Sequence, residues 1–233
     1  MGIYIKQLLA GRDFAQADVF AAQMANFIYL IGDSETHECM VVDPAWDVEG
    51  ILKVVDAQGL TLTGALVTHY HPDHIGGEIF GFNIGGLSDL LAKRPVKFHA
   101  NREEVEGIKY VTGISGTDIV SHEGGDRIQV GGVTITLLHT PGHTPGSQCF
   151  LVESRLVSGD TLFINGCGRV DLPGSNPDQM YYSLTQVLAK LPDQTIVYPG
   201  HNYATVPAST IGDEKSHNVY MKASREQWQR MMG

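Results

Sequence analysis

Two β-sheets packed face to face, with helices on their outer faces, are the architecture this sequence predicts: a mixed α/β (α+β) chain. Strand-like runs recur in both halves of the 233 residues, and an amphipathic helix accompanies the strands in each half. Hydrophobic residues make up 42% and charged residues 18% of the sequence. That is enough apolar mass for a sizeable core and too little charge for a disordered chain. Periodicity leaves the strand order open.

In the first half, 26–31 (NFIYLI) and 39–43 (CMVVD) are rich in β-branched and aromatic residues and are flanked by Gly, Asp and Pro. Val48, Ile51, Leu52 and Val55 follow at helical spacing, and Gly59 stands where that helix stops. Ala65-Leu66-Val67-Thr68 reads as a buried strand running straight into His69. In the second half, short strands are expected at 127–130, 133–138, 148–152, 155–158 and 195–198. A helix over roughly 178–191 carries Met180, Leu184, Val187, Leu188 and Leu191 on one face.

Two segments depart from this pattern. Residues 75–94 are Gly-rich and apolar, with Phe80, Phe82 and Ile84. They read either as a loop and short helix closing the core or as a pocket-wall insertion beside a substrate site. Residues 212–233 read as a polar helical tail that docks through Trp228 and Met231. With no linker, low-complexity tract or short repeat, 1–233 is expected to form a single domain.

The net charge is −10 and the pI near 5.4, so the surface repels phosphate backbones and nucleic acid is not an expected partner. Cys39, Cys149 and Cys167 cannot all pair within one chain and match no zinc motif, which points to reduced thiols. The opening MGIYIKQLLAGRDF lacks the apolar run of a signal peptide. No stretch reaches about 18 uninterrupted apolar residues. A cytoplasmic protein without a membrane partner is expected.

Four clusters carry chemistry: His69-x-His71-x-Asp73-His74; His143 within TPGHTPG; Asp160 within SGDT; and His201 within YPGHN. Each follows a strand-like run, so rigid sheets can bring the side chains to one rim. Imidazole suits Zn, Fe, Ni and Cu, and a carboxylate can bridge two cations. Any one of these His residues alone would be read as a surface or capping group. Four clusters at strand ends, three of them in Gly- or Pro-rich turns, point to a metal site. His37, His99, His122 and His217 have no such setting and read as ordinary. His139, at the end of a buried run, reads as a structural group or one that supports a ligand from behind.

These residues closely resemble the metallo-β-lactamase superfamily. THYHPDH at 68–74 is similar to its H-x-H-x-D-H signature, and TPGHT at 140–144, GDTLF at 159–163 and PGH at 199–201 match its later motifs in order. The resemblance covers nearly the whole chain. It implies a four-layer αββα sandwich of two similar halves with the site at one edge of the sheets. It implies two divalent ions, Zn and/or Fe, one on His69, His71 and His143, the other on Asp73, His74 and His201. Asp160 would bridge them, and Asp73 and Asp160 would be the catalytic carboxylates. A hydroxide between the ions would be the nucleophile.

Within the superfamily, the run from Gly159 to Arg169 is similar to glyoxalase II and to the persulfide dioxygenases. The first resemblance implies a hydroxyacylglutathione thioester hydrolase. Arg169 would pair with the carboxylate of a thiol-derived substrate such as a glutathione conjugate, and Tyr203 would stack or hydrogen-bond nearby. A structural salt bridge for Arg169 and core packing for Tyr203 are the plainer readings. The stretch after His201 is short for the helical domain of glyoxalase II. The tail from Ser209 to Lys215, with Asn218, is more like the persulfide dioxygenases. Those use a single Fe(II), which would map to His69, His143 and Asp160. The segment 170–174 matches neither pattern. Acyl-homoserine lactonases share the full ligand set, which keeps lactone hydrolysis as a further alternative. True β-lactamases of this fold usually place Cys at the Asp160 position, and the flavo-diiron proteins carry Glu at that of His71. A homodimer is compatible with the sequence.

Overall fold

A computed structural model describes residues 2–79 and 81–232. Phe80, assigned above to the pocket-wall segment, lies outside the described residues, as do Met1 and Gly233. Two six-stranded sheets form the centre. The first runs in spatial order Ile3–Leu9, Phe27–Asp33, Glu38–Val42, Thr61–Leu66, Lys97–Asn101 and Ile119–His122. The second runs Ser209–Thr210, Ile196–Pro199, Arg155–Gly159, Gln148–Val152, Val133–His139 and Arg127–Val130. Each sheet joins an antiparallel set to parallel neighbours: Glu38–Val42 pairs parallel with Thr61–Leu66, and Arg155–Gly159 parallel with Ile196–Pro199.

Strand alternation sorts the apolar residues into layers. Phe27, Tyr29 and Ile31 face the second sheet and pack with Ile135, Leu137, Phe150 and Val157. Ile28 and Leu30, on the same strand, face outward and pack with Ile51, Leu52 and Val55 of the helix Val48–Ala57. On the far side, Leu156 and Val197 meet Met180, Leu184, Leu188 and Trp228. Helices therefore cover both outer faces, giving the expected four-layer αββα sandwich.

The strands and helices expected from sequence agree with the structure to within a few residues. The strands Ile3–Leu9, Lys97–Asn101 and Ile119–His122 were not foreseen. The first and third are edge strands, and the sequence KFHAN lacks a clean apolar alternation. The second-half helix spans Pro177–Lys190 but changes turn type, with a π segment at Ser183–Val187. There the Ser183 hydroxyl donates to the Pro141 carbonyl at 2.6 Å, tying the helix to the loop that carries His143.

Residues 75–94 become the hairpin Gly77–Ile79 and Phe82–Ile84 followed by the helix Leu87–Lys93. Ile84, Leu87 and Leu90 are buried, whereas Phe82 is exposed and lies against Phe20. The tail folds as short helices; Trp228 is buried and donates to the Pro177 carbonyl at 3.0 Å, while Met231 stays exposed. Among the described residues, no helix is long and apolar enough to cross a membrane.

Candidate metal centre

The four clusters converge at one edge of the sandwich because each leaves the end of a strand there. Thr61–Leu66 delivers His69 and His71, and the short helix Pro72–Ile75, with Pro72 in its first turn, delivers Asp73 and His74. Val133–His139 leads into the loop of His143, Arg155–Gly159 into Asp160, and Ile196–Pro199 into His201. The parallel pairing of Gly159 with Pro199 sets Asp160 beside His201. Gly159 holds φ +49°, and a Cβ on Gly200 would sit 2.4 Å from Asp160 Oδ1. The two sheets are stitched at this edge: Phe27 N donates to Gly200 O at 2.8 Å, and Gln148 N to Thr68 O at 3.0 Å.

The side chains fall into two corners. His69, His71 and His143 form one set with ligand atoms within 4.8 Å of each other, and Asp73, His74 and His201 form another. His143 Nε2 lies 2.9 Å from His71 Nδ1, and His74 Nε2 lies 3.2 Å from His201 Nε2. Asp160 stands between them, with Oδ1 at 3.3 Å from His74 Nε2 and Oδ2 at 3.4 Å from His201 Nε2 and 3.7 Å from His143 Nε2. All seven residues nominated from sequence meet in one place.

Outward contacts fix the tautomers. His143 Nδ1 faces the Arg169 carbonyl and His201 Nδ1 the Met24 carbonyl, each at 2.8 Å. A carbonyl only accepts, so Nδ1 carries a proton, and Nε2 is the nitrogen left to face the centre, with a lone pair there when the ring is neutral. His74 Nδ1 faces Asp43 Oδ2 at 2.9 Å in the same sense.

Burial and the neighbouring imidazoles hold His69 well below the ordinary histidine range, and burial, then His143, lowers His71 to about 4. Burial also opposes charge on His74 and His201. The adjacent carboxylates outweigh it, keeping His74 well above its usual range and His201 at about 9. Burial likewise opposes ionisation of Asp73 and Asp160, and the same two imidazoles overcome it, holding both carboxyls well below their ordinary range. Two buried carboxylates thus demand positive charge, and His69 Nε2 and Asp160 Oδ1 are buried without a hydrogen-bond partner. Orphaned inward-facing donors and acidic demand for cations are what a metal centre needs.

The sequence pattern that defines the metallo-beta-lactamase superfamily matches residues 23–201. The chain belongs to that superfamily. Among its relatives, the hydroxyacylglutathione hydrolase of Photobacterium profundum is 38% identical over 208 residues, 88% of this chain and 73% of that protein. The human mitochondrial persulfide dioxygenase ETHE1 is 30% identical over 228 residues, 96% of this chain and 82% of that protein. The crystal structure of ETHE1 from Myxococcus xanthus superimposes with a TM-score of 0.77 at 32% identity, covering 98% of this chain and 89% of that one. In this superfamily a centre of this kind takes divalent zinc or iron, two ions in the full ligand set.

Two residues near the centre escaped the sequence reading. Asp43 is buried, accepts from Thr68 N at 2.8 Å and from the Thr68 hydroxyl at 2.6 Å, and orients His74. Asn26 donates to Asp73 Oδ2 at 3.0 Å and accepts from Trp46 Nε1 at 3.0 Å. The available signal for Asp43 was its place at a strand end, directly after CMVV, like each of the four clusters.

The two nominated substrate residues lie at the rim. Arg169 is exposed and makes a bidentate pair with Asp171, at 2.9 and 2.8 Å. Tyr203 stacks on His201 with ring centroids 4.7 Å apart and is exposed, not packed in the core. Partial desolvation beside the centre, then the charges of Asp160 and Asp73, push its hydroxyl up to about 12, so it remains a donor at neutral pH. His139 stands outside the cluster, and its Nε2 meets the Pro145 carbonyl at 2.9 Å.

Outside the centre, His99 Nδ1 lies 2.9 Å from His122 Nε2. Burial, then His122, lowers His99 to about 4. The unfolded chain therefore binds more protons below the ordinary histidine value of about 6.5. The stability this pair contributes is present above that pH and is lost as pH falls toward 4. His99→Gln is expected to flatten the loss of stability between pH 7.5 and about 5. Urea midpoints at the two pH values, compared with wild type, check this; an unchanged difference would refute it.

Proposed function

We propose that this protein is a dinuclear metal-dependent hydrolase that opens a thioester, of the hydroxyacylglutathione hydrolase type. The observation that carries the reading is the pair of facing corners with Asp160 between them. His69, His71 and His143 would hold one ion, Asp73, His74 and His201 the other, and Asp160 both. When bound, such ions bring the pKa of a coordinated water toward neutrality and polarise the substrate carbonyl. Asp73, held by Asn26, and Asp160 orient the attacking water. Water adds to the acyl carbon, the C–S bond breaks, and the water's proton ends on the departing thiol. Tyr203 donates a hydrogen bond to the thiol carrier at the rim.

A second reading is an Fe(II)-dependent persulfide dioxygenase using His69, His143 and Asp160. It is favoured by the similarity to human ETHE1, which runs through 96% of this chain. Metal analysis with paired assays separates the two. The hydrolase reading expects two ions per chain and cleavage of S-lactoylglutathione. One iron, oxygen uptake with glutathione persulfide and no thioester cleavage would replace it with the dioxygenase.

The substrate we favour is a small glutathione conjugate, with its carboxylate at Arg169. There it must displace Asp171, and an exposed pair of that kind is worth about 0–1 kcal/mol. Asp171→Asn is therefore expected to lower KM for S-lactoylglutathione by up to about fivefold with kcat unchanged. KM for the same thioester with its carboxylates esterified should not move. An equal change for both substrates would remove Arg169 as the carboxylate anchor.

A further inference from the structure

Glu104 is a fully buried carboxylate outside the ligand set. It stands in the turn Arg102–Glu104, directly after the strand Lys97–Asn101, and the Asn101 side chain caps that turn by accepting from Glu103 N at 3.0 Å. Glu104 Oε2 accepts from Tyr70 N at 2.7 Å, the amide between His69 and His71. Its Oε1 accepts from the Thr144 hydroxyl at 2.8 Å and from Gly146 N at 2.7 Å, in the loop that carries His143. One carboxylate thus joins the two loops that supply all three imidazoles of one corner. Among the described residues, no Lys or Arg pairs with it.

Two glycines make room for this bridge. A Cβ on Gly146 would stand 2.7 Å from Glu104 Cγ, and one on Gly107, in the helix that follows, 2.6 Å from the Tyr70 ring. Glu104 makes no contact with the other corner, which is held by Asp43 behind His74, the Met24 carbonyl behind His201 and Asn26 beside Asp73; Asp43 also reaches His69, through the Thr68 hydroxyl. Burying a carboxylate without a cationic partner is costly, and three donors from two ligand loops return that cost only while the loops hold this spacing.

We propose that Glu104 is a positioning residue that sets the separation of His69 and His71 from His143, and with it the metal affinity of that corner alone. The inference rests on the two-ion reading of the centre. Loss of a group that supports ligands from behind lowers metal affinity by about 10–100-fold.

The test titrates the metal-free full-length protein with Co(II) against a competing chelator, following the d–d absorption. His143→Ala and His201→Ala assign the two binding steps. Glu104→Gln and Glu104→Ala are expected to weaken the step lost in His143→Ala by about 10–100-fold, and to move the other by less than about threefold. Should both fail to fold, Thr144→Val, which removes one donor, is expected to weaken the same step by about 3–10-fold. Equal weakening of both steps, or a lowered Tm with neither step moved, assigns Glu104 a purely structural role and overturns the proposal. If wild type takes up only one Co(II), the two-ion reading fails. Glu104 is then judged on that single step, and a shift below about threefold overturns it.

Discussion

Asp160→Ala is expected to lower turnover by about 10²–10³-fold or more and to cost the protein one of its bound ions. Asp160 is the carboxylate within 3.7 Å of imidazoles from both corners. Its Oδ1 is buried without a hydrogen-bond partner, and its ion-pair contacts are with the His74, His143 and His201 imidazoles of the centre itself. Removing it takes away the negative charge that both ions would share in the dinuclear reading, while the Gly159–Gly200 backbone contact at 2.9 Å stays in place. Asp160→Asn, which keeps the shape and loses the charge, should behave nearly as badly. Elemental analysis and turnover with the best substrate read the effect, and far-UV circular dichroism reports whether the fold is retained. Two tightly held ions and near-normal turnover in Asp160→Ala would remove Asp160 as the shared ligand.

Asp43→Ala is expected to be the more damaging change for stability. Asp43 accepts from a backbone amide, a hydroxyl and His74 Nδ1, all buried. Truncation leaves the Thr68 amide and the His74 Nδ1–H without partners, a loss of about 3 kcal/mol or more. It also frees His74 to rotate, so affinity at the corner of Asp73, His74 and His201 should fall by about 10–100-fold. Denaturant unfolding of the metal-free protein separates the first effect from the second. A change under about 1 kcal/mol there would show that water replaces the carboxylate at little cost. Asp43 reaches both corners, His74 directly and His69 through the Thr68 hydroxyl at 2.9 Å, whereas Glu104 holds only the two loops of the three-imidazole corner.

The candidate cluster was legible because its residues sit in short, dense motifs. HYHPDH places four donors within one turn and one short helix, and TPGH, SGD and PGH each put a single donor after a strand. Such spacing is local, and local rules read it. The supporting groups were not legible for the opposite reason. Asp43 lies 31 residues from His74, and Glu104 lies 40 from Thr144. Nothing in ANREEVEG distinguishes Glu104 from its exposed neighbour Glu103, because burial is decided by what packs above it. The same holds for Arg169: a basic residue in a substrate motif reads as an anchor, and only the folded loop shows Asp171 already on it.

The sequence by itself determined the layers and which His and Asp residues to look for. Alternating apolar residues such as Phe27, Tyr29 and Ile31 against Ile28 and Leu30 oblige a strand to be buried on both faces, and histidines after strand ends name the donors. The tertiary structure decided which ring nitrogens face inward and which carboxylates and carbonyls hold them there. These are properties of distance and direction between segments far apart in the chain. They exist only once the parallel pairing of Arg155–Gly159 with Ile196–Pro199, and the stitching of one sheet to the other, have brought the loops together.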